Sequence, residues 1–136
     1  MGYTNIMAEM PEMYQVVAVA EPIEARRNYI RDKHNVTEEM CFTTWEPLME
    51  MDKFTDVVIV AAMDRDHYAP TVAAIEKGYD LLLEKPVAPT PEECIKMAAA
   101  AKEKGVKILV CHVLRYTLYF RKLKELIDSG TYPGAC

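Results

Sequence analysis

The tripeptide Glu84-Lys85-Pro86 places a lysine amine directly after the apolar run Leu81-Leu82-Leu83. Proline cannot donate a hydrogen bond to a sheet ladder, so the predicted strand ends here, with Lys85 at its carboxyl end. The apolar strand and the proline predict a partly desolvated amine, which suits proton transfer or a hydrogen bond to a substrate hydroxyl. The alternative interpretation is an ordinary solvated lysine at a strand end.

Imidazole and guanidinium groups stand near the ends of two other apolar runs. His67 opens a predicted helix, whose dipole favours a neutral ring that both donates and accepts hydrogen bonds. His112 and Arg115 follow the last apolar run, and the guanidinium offers a fork of donors for carboxylate oxygens. The alternatives are an ordinary first-turn residue at position 67 and structural ion pairs at the other two.

Glu21 directly follows the apolar run Val16-Val17-Ala18-Val19-Ala20. A carboxylate in this place accepts hydrogen bonds from two ribose hydroxyls and repels a 2′-phosphate, which favours NAD over NADP. It could equally be an acidic turn residue before Pro22. Arg26 and Arg27 lie close enough to attract a phosphate, so NADP stays open.

The elements that would position these residues alternate between strand and helix. Apolar runs predict strands at 16–20, 57–61, 81–83 and 107–110, with the run at 57–61 covered on both faces. Helical periodicity predicts helices at 23–33, 45–51, 67–77 and 118–129, the last with Leu118, Leu123, Leu126 and Ile127 facing a core. Thr90-Pro91-Glu92-Glu93 is the start signal of another helix, which Gly105 ends. Short apolar strands alternating with helices indicate an α/β domain with a parallel sheet, in which ligands gather at the carboxyl ends of the strands.

Length and composition restrict the function classes. The 136 residues suit one domain, residues 1–136, and the net charge of −5 gives no positive field for nucleic acid. The longest apolar run is far shorter than the roughly 20 residues that span a membrane. The N-terminus lacks a secretory pattern, so we expect a cytoplasmic protein.

The four cysteines lie far apart and form no C-x-x-C pair, which predicts reduced thiols at Cys41, Cys94, Cys111 and Cys136. Zinc binding by Cys111 and His112 is the alternative. Neighbouring strand residues point to opposite faces and do not easily share one metal, so we expect no metal site.

Together these motifs resemble the Gfo/Idh/MocA oxidoreductases. The resemblance runs from Val16–Pro22 through Asp56–Val60 and His67 to the stretch from Gly78 to Pro86. It continues with His112-Val113-Leu114-Arg115-Tyr116 and Leu126-Ile127-Asp128-Ser129-Gly130. Glu84-Lys85-Pro86 after an apolar strand, with His67 upstream and Arg115-Tyr116 downstream, is the most diagnostic combination.

The resemblance implies a Rossmann-like parallel sheet with helices on both faces that binds NAD, with NADP not excluded. It implies hydride transfer between this cofactor and a secondary alcohol of a sugar or cyclitol, in a protein that forms homo-oligomers. Lys85 and His112 would be the catalytic residues. The cofactor-binding residues would be Glu21, Ala62, Met63, His67, Glu84, Lys85, Pro86 and Arg115.

Two features of the family have no counterpart in this sequence. The family opens with a strand and a G-x-G-x-x-G turn that holds the pyrophosphate, and its substrate domain follows the Rossmann domain. The strand lies centrally in the order 3-2-1-4-5-6, so we expect two unpaired inner sheet edges. We therefore expect an internal portion of an oxidoreductase, weak or inactive alone. The alternatives are a non-catalytic module that dimerises through those edges, and an enzyme that forms a Schiff base through Lys85.

Overall fold

The computed structural model describes residues 2–131, in which helices and strands alternate along most of the chain. The strands are β1 (Val19–Ala20), β2 (Cys41–Phe42), β3 (Val57–Val60), β4 (Asp80–Leu83) and β5 (Ile108–Val110). The helices are α1 (Gly2–Ala8), α2 (Glu24–His34), α3 (Glu46–Glu50), α4 (Tyr68–Glu76), α5 (Pro91–Lys104) and α6 (Leu118–Asp128). The α/β class predicted from the alternating pattern is confirmed.

All strand pairs are parallel, and they form two separate sheets. β1 pairs with β2, and β3, β4 and β5 form a three-stranded sheet in that order. Among residues 2–131, no strand pairs with the second edge of β1 or of β3. These are the two unpaired inner edges that the sequence predicts.

The core lies between the three-stranded sheet and helices α4 and α5. Leu81 and Leu83 alternate along β4 and point to one face of the sheet, where they pack with Ile75 of α4 and Met97 of α5. Tyr79 is buried in the same cluster, and its hydroxyl accepts a hydrogen bond from the backbone of Phe54 at 3.2 Å. This packing fixes β4, and with it the start of the Glu84-Lys85-Pro86 segment.

Helix α5 begins and ends as its sequence predicts. The Thr90 side chain accepts a hydrogen bond from the Glu93 backbone N–H at 3.3 Å, and Pro91 occupies the first turn. Gly105 ends the helix with φ 69°, a left-handed conformation that glycine adopts without steric cost.

The expected burial of α6 is wrong. Leu118 is 84% exposed, and Leu123 and Ile127 are also exposed, whereas Leu126 is half-buried. The helix packs mainly on the short 3-10 segment Val113–Tyr116, not on the sheet. Its apolar stripe therefore has nothing in residues 2–131 that covers it fully.

Two strand predictions also need correction. The first strand comprises only Val19–Ala20, because β2 pairs with these two residues and no described strand pairs with 16–18. Strand β3 is not covered on both faces: Val57 is 48% exposed, and in β5 Leu109 is exposed on the face away from α4 and α5. The open face and the unpaired edge of β3 account for this exposure.

Three properties concern the described chain as a whole. No helix within residues 2–131 is long and apolar enough to cross a membrane. Over the same range, no three His, Cys, Asp or Glu side chains come together as a metal site requires. Cys41, Cys94 and Cys111 are free thiols, and Cys136 lies outside the described residues.

Candidate functional site

Three of the segments singled out in the sequence start at one edge of the three-stranded sheet. Val60, Leu83 and Val110 are paired in register at the carboxyl ends of β3, β4 and β5. The edge continues one residue further: the Glu84 backbone N–H donates to Val60 at 2.9 Å, and the Cys111 N–H donates to Leu83 at 2.9 Å. Parallel register thus brings together the residues that follow these three strands, as the sequence predicts.

The Glu84 carboxylate is held through both of its oxygens. Oε1 accepts a hydrogen bond from the Tyr3 hydroxyl at 2.6 Å, and Oε2 accepts one from the Lys85 backbone N–H at 3.1 Å. The bond from Tyr3 lowers the pKa of Glu84, which partial burial alone would raise. Burial is the largest cause that raises the pKa of Tyr3, and hydrogen bonds to Cys111 and Glu84 raise it further. The carboxylate therefore links α1 to the backbone at Lys85.

Sequence reasoning missed Tyr3. Its partner is 81 residues away, and a tyrosine early in a helix carries no local signal for such a contact. Only the fold, which places α1 against the carboxyl end of β4, shows the connection.

We expect Tyr3→Phe to lower the free energy of unfolding by about 1–2 kcal/mol near neutral pH, because it removes a charge-assisted hydrogen bond of a partly solvated carboxylate. The pKa of Glu84 is lowered in the fold, so this contribution is present above the unfolded carboxyl pKa and is lost as pH falls through the folded one. Chemical denaturation at several pH values measures the difference. A gap that persists well below about pH 4 would contradict the assignment.

His67 is buried, and both of its ring nitrogens face backbone carbonyl oxygens. Nδ1 lies 2.6 Å from the oxygen of Pro86, and Nε2 lies 3.1 Å from the oxygen of Ala62. The ring thus connects the residues after β3 with those after β4. Its polar atoms are engaged by the protein itself, so within this arrangement it holds loops and does not present a free nitrogen to a ligand.

The Lys85 side chain is exposed, which differs from the partial desolvation expected from its neighbours. It lies beyond the end of β4, where the chain bends, and the Lys85–Pro86 peptide bond is cis. Within the described chain its ammonium has no hydrogen bond or ion pair. The amine is therefore available to a ligand at this edge.

The other predicted residues of this edge are also accessible. The side chains of Ala62, Met63, His112 and Arg115 are exposed, and Pro86 is exposed beside Lys85. His112 follows the buried Cys111, and its carbonyl accepts a hydrogen bond from the Arg115 N–H at 3.0 Å. This bond closes the turn that carries Arg115 near the end of β5.

Glu21 lies at the end of β1, in the two-stranded sheet. One carboxylate oxygen, Oε1, accepts a hydrogen bond from the Ile23 backbone N–H at 2.8 Å. The other, Oε2, has no hydrogen-bond partner among residues 2–131. Arg27 donates to the Glu21 carbonyl at 2.7 Å, so its guanidinium is held at the same strand end. No hydrogen bond within that range joins this pair to Lys85.

The family comparison covers most of the chain. Residues 2–112 match the Gfo/Idh/MocA oxidoreductase family, described by its NAD-binding Rossmann fold. The chain belongs to this family. The resemblance inferred from Glu84-Lys85-Pro86 and its companion motifs is thereby confirmed.

Relatives within the Gfo/Idh/MocA family include two inositol dehydrogenases. The scyllo-inositol 2-dehydrogenase (NADP(+)) of Bacillus subtilis is 35% identical over 95 residues, which is 66% of this chain and 26% of that protein. The inositol 2-dehydrogenase of Salmonella typhimurium is 30% identical over 117 residues, covering 85% of this chain and 34% of the relative. The chain thus spans between a quarter and about a third of these relatives' length.

Solved structures of other proteins share the fold. The WlbA dehydrogenase of Chromobacterium violaceum, solved with NADH and UDP-GlcNAcA, superposes with a TM-score of 0.85 at 15% identity, covering 97% of this chain and 37% of that one. An NAD-binding oxidoreductase from Klebsiella pneumoniae superposes with a TM-score of 0.68 at 28% identity, covering 85% of this chain and 30% of that one. The first likeness concerns the Rossmann-like fold alone.

Proposed function

We propose that this chain is the nicotinamide-binding part of an oxidoreductase that acts on a secondary alcohol of a sugar or cyclitol. One observation carries the proposal. The family's Glu84-Lys85-Pro86 segment starts at the carboxyl edge of a parallel sheet, in register with the segments after β3 and β5. The inositol dehydrogenases among the relatives support a polyhydroxylated substrate.

The residues present fit a nicotinamide dinucleotide. Glu21 has one fixed and one free carboxylate oxygen, an arrangement that suits ribose hydroxyls. Exposed Ala62 and Met63 offer surface beside the cofactor, and the Arg115 guanidinium offers donors to its oxygens. When bound, such a cofactor accepts or donates a hydride at its nicotinamide ring.

The role of Lys85 in the proposal is proton transfer at Nζ. In alcohol oxidation, Lys85 Nζ in its amine form would take the hydroxyl proton as the carbon–oxygen bond becomes a carbonyl, and a bound nicotinamide would supply the hydride acceptor. In the reverse direction the ammonium returns that proton to the carbonyl oxygen. His112, exposed at the neighbouring strand end, hydrogen-bonds the substrate from the β5 side.

The cofactor in this proposal is NAD, because the Glu21 carboxylate repels a 2′-phosphate. Arg27 donates to the Glu21 main chain, which leaves part of its guanidinium free and NADP possible as the weaker ligand. The B. subtilis relative carries NADP(+) in its name, so the cofactor varies within the family.

We expect Glu21→Gln to weaken NADH binding by roughly tenfold and to strengthen NADPH binding, because the change removes a charged acceptor and its repulsion of the 2′-phosphate. Nicotinamide fluorescence during titration measures both affinities. Glu24→Gln is the matched control, since Glu24 is an exposed carboxylate in the first turn of α2. Equal responses of the two variants would contradict the role given to Glu21.

The proposal includes self-association into a homo-oligomer, supported by exposed apolar surface. Leu118 and Tyr119 of α6 are largely exposed, as are Leu114 and Tyr116 just before it. We expect the chain to associate with rising concentration and Leu118→Glu to shift it toward monomer, because a charge in an apolar contact is costly. Light scattering after gel filtration measures the mass, with Lys102→Glu as control. A wild-type chain that stays monomeric would contradict association.

Association and cofactor affinity, measured together, distinguish the oxidoreductase hypothesis from the hypothesis of a non-catalytic module. The edges of β1 and β3 that lack partners in residues 2–131 could pair with a second copy. Association without affinity for either nicotinamide cofactor would favour the non-catalytic module. Affinity for NADH favours the oxidoreductase.

A further inference from the structure

The environment of His67 is unusual because both ring nitrogens face groups that can only accept hydrogen bonds. The carbonyl oxygen of Pro86 lies 2.6 Å from Nδ1, and that of Ala62 lies 3.1 Å from Nε2. The side chain is 1% exposed, so water has little room to replace either partner. A neutral imidazole carries one N–H and satisfies only one of the two carbonyls, whereas an imidazolium carries two and satisfies both.

We propose that His67 is a positioning residue that, as an imidazolium, donates to both carbonyls and holds the residues after β3 and β4 together. Pro86 is bonded to Lys85, and Ala62 begins the exposed loop beside Met63. The ring therefore sets the position of the Lys85 turn relative to that loop. The functional part of this inference rests on the proposed cofactor site, but the protonation and the two bonds do not.

Some of the charges around His67 stabilise a protonated ring, and others destabilise it. The Glu84 carboxylate at the end of β4 interacts favourably with the ring, and Tyr3 holds that carboxylate in place. Asp64 and Asp66 precede the ring on its own segment and also favour a positive charge, whereas Arg65 and Lys85 oppose it. Burial and the N-terminus of α4, which begins at Tyr68, oppose the charge as well. The two short contacts to acceptors are the interactions that require the second proton.

The two contacts differ in length, and therefore in strength. Nδ1 is closer to its carbonyl than Nε2 is, so the bond to Ala62 is the weaker of the two. A ring with a single proton would keep the bond to Pro86 and lose the bond to Ala62. The loop after β3 would then no longer be held to the Lys85 turn.

Nitrogen-15 NMR of the intact chain tests the protonation state directly. At about pH 6 we expect the signals of a doubly protonated ring. With rising pH, the backbone amide of Met63, which shares a peptide plane with the Ala62 carbonyl, should shift with the same midpoint as the ring, while that of Val87, which reports on Pro86, should move less. A single neutral tautomer at pH 6, or a Met63 amide that does not follow the ring, would overturn the inference.

Two amide variants test whether the second proton matters for the site. Asn places a donor near the position of Nδ1 and Gln places one near Nε2, and neither side chain titrates. We expect wild-type NADH affinity to fall about fivefold between pH 6 and pH 8.5, the factor for one lost hydrogen bond, and His67→Asn and His67→Gln to show no such fall. Every other titrating group, including His34 and His112, remains in both variants, so a pH dependence that survives in them belongs to another group and overturns the role of His67.

The NMR measurement tests the protonation of His67, and the NADH titration tests the proposed function, so a failure of one can be told from a failure of the other. A doubly protonated ring in a chain that binds no NADH would contradict the proposed function and leave the two-carbonyl contact intact. NADH binding with a neutral ring would contradict the inference and leave the proposed function intact.

Discussion

Replacing Lys85 with Ala should reduce turnover by about 10²–10⁴-fold while changing NADH affinity by less than about threefold. The reduction is the range expected when a positioned proton donor and acceptor is removed. The affinity should persist because the exposed Lys85 side chain, free of partners among residues 2–131, is assigned to the substrate oxygen in this account.

Steady-state kinetics, together with titration by NADH, measures the two effects separately. Lys102→Ala is the matched control, because Lys102 is an exposed lysine in the last turn of α5. Unchanged turnover in Lys85→Ala would remove Lys85 from the mechanism. Covalent trapping of a carbonyl compound on Lys85 by borohydride would favour the Schiff-base alternative.

Replacing Leu83 with Ala should lower the free energy of unfolding by about 2–5 kcal/mol, because it opens a cavity in a packed core. Leu83 is fully buried between the sheet and helices α4 and α5, and it directly precedes Glu84. We also expect NADH affinity to fall, because Leu83 fixes the strand end from which the Lys85 turn starts.

Leu109→Ala is the control for this variant. It is the same substitution in the neighbouring strand of the same sheet, but Leu109 is 63% exposed, so we expect a change below about 1 kcal/mol. Urea unfolding followed by circular dichroism measures both values. Similar losses in the two variants would contradict the assignment of the core to the α4–α5 face.

The α/β class and the candidate edge could be predicted because their signals are local. Short apolar runs predict strands, and capping residues such as Thr90 and Gly105 predict helix ends. Parallel pairing then places the residues after each strand at one edge without knowledge of any long-range contact. Lys85, His112 and Arg115 were found in this way.

The contacts inside the site could not be predicted, since they join residues far apart in the chain. Nothing in the local sequence connects Tyr3 with Glu84, or shows that the partners of His67 are backbone carbonyls. Both depend on how α1 and the two loops meet after folding. The exposure of Lys85 likewise depends on the direction in which the turn after β4 leaves the sheet.

The apolar stripe of α6 shows a different limit. Periodicity identifies which side of a helix is apolar, and Leu118 and Ile127 do lie on such a stripe. It does not identify what covers that side. In the described chain the stripe is mostly exposed, so the same pattern that predicted core packing now supports an intermolecular contact.

The most direct test of the nicotinamide-binding proposal is an NMR titration of the nitrogen-15-labelled chain with NADH. We expect saturable shifts of the backbone amides of Glu21, Met63, Lys85, His112 and Arg115, which lie in the segments that follow the strand ends, and no shifts near the C-terminal turn of α5 around Lys102. A folded chain whose amides do not respond to NADH, or respond only away from these strand ends, would contradict the account.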